Sequence, residues 1–140
     1  MEVRTIFIYS ILNPHLDYHD ITNGKVISHI ISENRSRTYV VKNNKLYIIY
    51  QSRYFEDIFA IIPDGIILEL DIMQMEEMNI GIKKVKKIKD IPIVATGEMP
   101  KDLTEYMSYD KIFKNLDHIK YFENPKDALK ELERYDILSI

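Results

Sequence analysis

Two carboxylates, Glu69 and Asp71, alternate with Leu68 and Leu70 near the end of the apolar run 66–72 (IILELDI). Side chains two apart on a strand point to one face, so the pair could act together. In an open α/β sheet, the C-terminal ends of the strands are where ligands bind. Thr96 closes a second apolar run, 91–96 (IPIVAT), and Thr96-Gly97-Glu98-Met99-Pro100 leads from it into a helix. The first amides of that helix could receive a phosphate, although Glu98 would repel one. Lys114 follows another β-prone run, 111–113, and could pair with the carboxylates if it faces the same rim. The simpler account of Glu69 and Asp71 is a half-exposed edge strand.

Other clusters carry less chemistry. His15, Asp17, His19 and Asp20 lie within six residues, and imidazole with carboxylate suits Zn²⁺ or a similar ion. A polar loop produces such groups by chance, so no metal is expected. Lys83, Lys84, Lys86, Lys87 and Lys89 could dock an acidic partner, but a solvated helix face explains them as well. His29 and His118 stand alone. The chain has no cysteine, which excludes disulfides, thiolate metal sites and cysteine nucleophiles. It also has no Walker motif, no Gly-x-Gly-x-x-Gly, no readable Ser/His/Asp spacing and no aromatic-basic stripe for nucleic acid.

The elements that must position these residues change character near residue 52. Before it the chain is β-rich. Residues 3–10 (VRTIFIYS) suit a buried strand that stops before Asn13-Pro14, and 13–24 is a polar loop. Residues 24–33 fit a helix capped by Thr22 or Asn23, with Val26, Ile27, Ile30 and Ile31 on one face, though their β-branching also suits a strand. Runs 37–41 and 46–50 around Lys42-Asn43-Asn44-Lys45 predict a hairpin. After residue 52 the period becomes 3.6. Ser52 can cap a helix with Phe55, Ile58, Phe59 and Ile62 inward, closed by Pro63-Asp64-Gly65. Strand 66–72 follows, then a helix with Met75, Met78, Ile82, Val85 and Ile88 on one face, then strand 91–96. Pro100 opens a further helix, 111–113 or 118–122 supplies the last strand, and Asn124-Pro125 opens a helix with Ala128, Leu129, Leu132 and Tyr135 inward. Strands separated by helices imply right-handed crossovers. The expected fold class is α/β: a β-rich start with a hairpin, then a mainly parallel sheet flanked by helices.

The totals agree with this. At 140 residues, 46% hydrophobic and 29% charged, the chain has the length and composition of one globular domain. A net charge of -3 provides no field for nucleic acid or anionic lipid. No apolar run approaches the ~20 residues of a membrane span, and no signal peptide is readable, so a cytoplasmic protein is expected.

The hairpin, the alternation and the closing stretch from Lys111-Ile112-Phe113 through Ile119-Lys120-Tyr121-Phe122-Glu123-Asn124-Pro125-Lys126-Asp127-Ala128-Leu129 resemble the STAS domain of anti-sigma-factor antagonists and sulfate-transporter tails. The resemblance implies one domain over 1–140, with 1–36 as an N-terminal extension and 37–138 as a STAS-like core. It implies a regulatory domain acting through a protein partner or as a homodimer, without a cofactor. The family's switch loop carries a phosphorylated hydroxyl; here Glu76-Glu77-Met78-Asn79-Ile80-Gly81 stands in its place, leaving Glu77 and Asn79 as binding candidates without a phosphorylation site.

Residues 63–72 (PDGIILELDI) followed by Met78-Asn79 also resemble the receiver domain of response regulators. That likeness implies Asp71 as phosphoacceptor, Thr96 as switch hydroxyl and Lys114 as the lysine after the last strand. Tyr9-Ser10-Ile11-Leu12 stands where the Mg²⁺-holding acidic pair would be, so a pseudo-receiver is implied. A third likeness, of 6–12 (IFIYSIL) to the opening of γ-glutamyl cyclotransferases, implies an enzyme of barrel form with Glu76 or Glu77 as acid/base, but it lacks the expected glycine. Binding is expected over catalysis.

Overall fold

β1 (Glu2–Tyr9) becomes apolar on both faces in its second half: Ile6 and Ile8 point one way, Phe7 and Tyr9 the other, and all four are buried. A strand buried on both faces needs a neighbour on each side and cover above and below. In the computed structural model β1 has them, pairing in parallel with β4 (Lys45–Ser52) and with β5 (Gly65–Glu69). The residues described are 2–11, 13–15, 24–69, 75–88, 90–96, 120–124 and 127–132, with the side chains of 75–77, 79, 120 and 121 excepted. β1, which the STAS resemblance leaves in an extension, is thus the middle strand of the sheet.

Among the described residues the strand order is β2-β3-β4-β1-β5-β6-β7. β2 (Lys25–Ile31), β3 (Arg35–Lys42) and β4 form an antiparallel meander, while β6 (Ile93–Thr96) and β7 (Lys120–Phe122) continue the parallel part beyond β5. The fold is α/β with helices against the sheet. A mainly parallel sheet is matched only in part, because the three-stranded meander interrupts it. The predicted hairpin is β3–β4. Its turn residues Asn43 and Asn44 have φ of 51° and 62°, and asparagine enters this left-handed region more readily than other non-glycine residues. The twist of such a turn suits an antiparallel hairpin.

Residues 24–33 correct the helical expectation, since 25–31 are strand β2. The register slips between Val26 and Ser28, inserting Ile27 as an extra residue. A bulge of this kind breaks the two-residue period, so the isoleucines fall at a spacing that imitates a helix. The helix expected from Ser52 is also shorter. α1 (Asp57–Ile61) stops at Ile62, which is left-handed (φ 48°). Phe55 and Ile58 are buried, but Phe59 and Ile62 are 40% and 49% exposed. Ser52 still organises the entry to α1: its Oγ accepts the Tyr54 N–H at 2.9 Å and donates to Asp57 Oδ2 at 2.6 Å.

α2 (Met75–Ile88) follows its predicted period. Met78, Ile82 and Val85 are buried, and Lys83, Lys84, Lys86 and Lys87 are exposed. Ile88, expected inward, is 61% exposed. With Phe55 and Ile58, the buried residues of α2 cover Phe7, Tyr9, Ile66, Leu68, Ile93 and Ala95 on one sheet face. On the other face Ala128, Leu129 and Leu132, from helical residues 127–132, cover Ile6, Ile8, Ile67 and Val94. Two apolar layers around one sheet are the basic economy of an α/β domain. Among the described residues no helix is long and apolar enough to cross a membrane. Among the described residues the sheet is open, with β2 and β7 at its ends.

Candidate functional site at the strand ends

The C-terminal ends of the parallel strands meet at one rim. β4 ends in Ser52, β1 in Tyr9 followed by Ser10, β5 in Glu69 and β6 in Thr96. The register aligns Tyr9 with Ser52 and with Leu68, and Glu69 with Thr96. The Ser10 N–H continues the ladder to Ser52 O at 3.0 Å. Ser10, Ser52 and Thr96 are buried and Glu69 is half-buried; Ser10 and Thr96 share a sheet face with Glu69, whereas Ser52, the partner of Tyr9, faces the other side.

Ser10 Oγ is the junction. It donates to Glu69 Oε2 at 2.7 Å, lies 2.9 Å from the Asn13 carbonyl and accepts the Asn13 N–H at 3.3 Å. The hydroxyl has one proton for two acceptors, and the charged carboxylate makes the stronger bond. Thr96 Oγ1 is buried and has no hydrogen-bond partner among the described residues. A buried polar atom left unpaired is uncommon in folded proteins.

Of the predicted site residues, the structure brings Glu69 and Thr96 together as strand partners. Asp71 and Lys114 lie outside the described residues, as do Asp17, His19, Asp20, Lys89 and His118. Glu77 and Asn79 belong to the first turns of α2. His15 directs Nε2 to the Ser32 carbonyl, and His29 Nδ1 is 2.7 Å from Thr38 Oγ1. Among the described residues no three His, Cys, Asp or Glu side chains form a metal site. In the sequence Ser10 stands where a receiver's acidic pair would be and falls within the cyclotransferase-like opening 6–12.

Chemically the described rim is poor in catalytic groups. It contains one carboxylate, already accepting a hydrogen bond, and no imidazole to activate a serine. Mg²⁺ takes near-octahedral oxygen coordination anchored by carboxylates, and Glu69 alone is a thin anchor. A second polar centre lies beside the rim. Arg35 Nε and Nη2 grip Asp57 Oδ2 and Oδ1 at 2.6 and 3.1 Å, with the guanidinium 4.8 Å over the Tyr54 ring. The hydrogen bond from Arg35 holds the Asp57 carboxyl below its ordinary pKa; partial burial opposes this and the Ser52 hydroxyl adds to it.

No family model and no curated protein sequence matches the chain. Among solved structures it is similar to a futalosine hydrolase mutant of Helicobacter pylori strain 26695. The TM-score is 0.37 and the identity 11%, over 92% of this chain and 81% of that one. Likeness at this level carries no inference about activity.

Proposed function

We propose that this chain is a non-catalytic regulatory domain of receiver-like form, acting through a protein partner or as a homodimer, whose strand rim is not operated by phosphoryl transfer. The observation that carries this reading is the Ser10–Glu69 hydrogen bond at the β1/β5 strand ends. In a phosphate-switched receiver that place belongs to an acidic cluster and its Mg²⁺; here a hydroxyl occupies the β1 side and its proton is given to the β5 carboxylate.

The strand order supports the receiver-like form over the STAS-like one. Numbered among themselves in chain order, the parallel strands β1, β4, β5, β6 and β7 run 2-1-3-4-5 across the sheet. That is the flavodoxin-like doubly wound order, whose ligands bind at the switch between its first and third strands. Here the switch lies between β1 and β5, where Ser10 and Glu69 meet. On this reading Glu69 is a carboxylate at the place of the acceptor; Asp71 lies outside the described residues. Between the first two parallel strands the described residues include the β2–β3 hairpin, which widens the sheet.

The test is exposure to acetyl phosphate with Mg²⁺, read by intact mass and by amide shifts of Ser10, Glu69 and Thr96. The expected result is no phosphoryl adduct and no saturable Mg²⁺ shift. In the double variant S10D/E69D, Mg²⁺ shifts at those amides are expected. A phosphoryl adduct at the rim of the unaltered protein, or saturable Mg²⁺ binding there, would overturn the proposal.

A further inference from the structure

We infer that Arg37 anchors an oxyanion-binding cleft on the meander, shaped for the carboxylate or phosphate end of a small ligand. Ile30, Arg37 and Tyr50 are successive cross-strand partners on β2, β3 and β4, so their side chains share one face. With Ser32, Arg35 and Ser36 they line a cleft of about 110 Å³. Pockets for whole drug-sized ligands are roughly 300–1,000 Å³. This one has room for a terminal group only.

The two arginines of β3 differ in what they hold. Arg35 is neutralised by Asp57 through two hydrogen bonds. Arg37 has no carboxylate partner among the described residues, and its Nε is buried without an acceptor. Its guanidinium instead sits 5.6 Å from the ring centroids of both Tyr39 and Tyr50. Two aromatic faces stabilise the cation but accept none of its in-plane hydrogen bonds. What is missing is an oxygen in the guanidinium plane, which an oxyanion supplies through paired N–H donors.

The serine hydroxyls lining the cleft are already engaged. Ser36 Oγ donates to Pro14 O at 2.6 Å and Ser32 Oγ to Arg35 O at 3.3 Å. The anion is therefore held by guanidinium, and the bound group lies against Ile30 and Tyr50. Asp57, beside the cleft-lining Arg35, has its charge offset by that arginine. The site is separate from the strand rim and does not rest on the receiver-like reading.

The test is a titration of the ¹⁵N-labelled protein with phenyl phosphate and, separately, benzoate, following the Arg37 Nε–Hε resonance against sodium chloride at matched ionic strength. A saturable shift with either probe and not with chloride supports the site, and the probe that binds more tightly identifies the preferred head group. Arg37→Lys retains the charge but loses the planar fork, and affinity is expected to fall on the order of tenfold. No saturable shift of Arg37 with either probe overturns the inference, whatever the stability of the variant. So does a folded Arg37→Lys protein that binds as tightly as the original.

Discussion

Ser10 Oγ donates to Glu69 Oε2 at 2.7 Å across 59 positions of chain, tying the end of β1 to the end of β5. Ser10→Ala removes that donor and leaves the half-buried carboxylate short of a partner. The expected loss is about 1–3 kcal/mol. Glu69→Gln retains an acceptor and should cost less. Urea unfolding checks both, as a lower midpoint with an unchanged m-value.

Gly81 permits α2 to approach Phe55. A Cβ built there would lie 2.1 Å from Phe55 Cε1, and Phe55 is itself braced edge-on against Tyr9 at a centroid distance of 5.3 Å. Glycine to alanine in a helix ordinarily gains about 0.8–1.0 kcal/mol, whereas overpacking a core costs about 1–3 kcal/mol. With the ring confined, the clash wins. Gly81→Ala should lower the thermal midpoint, and Gly81→Ala with Phe55→Leu should recover part of the loss.

Asp57 makes a pH-dependent contribution. Its pKa in the folded protein is depressed below the ordinary 3.8, first by the Arg35 hydrogen bond and then by Ser52. A depressed carboxylate stabilises the fold fully above its unfolded pKa, and the gain disappears as pH falls through the folded value. Asp57→Asn should therefore be less stable than the original protein at pH 7. The gap should close below pH 3.8, as read by unfolding midpoints across that range. A gap that stays constant with pH would mean that Asp57 acts through shape alone.

Much of the scaffold was legible because its signals are local. β1, the β3–β4 hairpin, β6 and the buried face of α2 each follow from the period of a few neighbouring side chains. β2 reads as either helix or strand because the single inserted residue Ile27 shifts the phase of an otherwise plain strand. Phe59 and Ile62 were misplaced because the left-handed turn at Ile62 ends α1 early, and nothing in an isoleucine announces positive φ. At the rim, Glu69 and Thr96 could be anticipated as strand-end residues. Ser10 could not, since its bond to Glu69 exists only once β1 is inserted between β4 and β5. Arg37 was equally silent. Its lack of a counter-charge depends on cross-strand neighbours, whereas Arg35, two residues away, finds Asp57.

The central position of β1 also has a consequence in time. Chains are synthesised at about 5–20 residues per second, so Glu69, 60 positions after Tyr9, is made roughly 3–12 s later. β1 leaves the ribosome first among the strands, yet its two hydrogen-bonding partners are β4 and β5. The hairpin β3–β4 can close on itself during that interval, whereas β1 gains its first partner only when β4 is made and its second only when β5 follows. During synthesis it is β1 that a chaperone would meet unpaired.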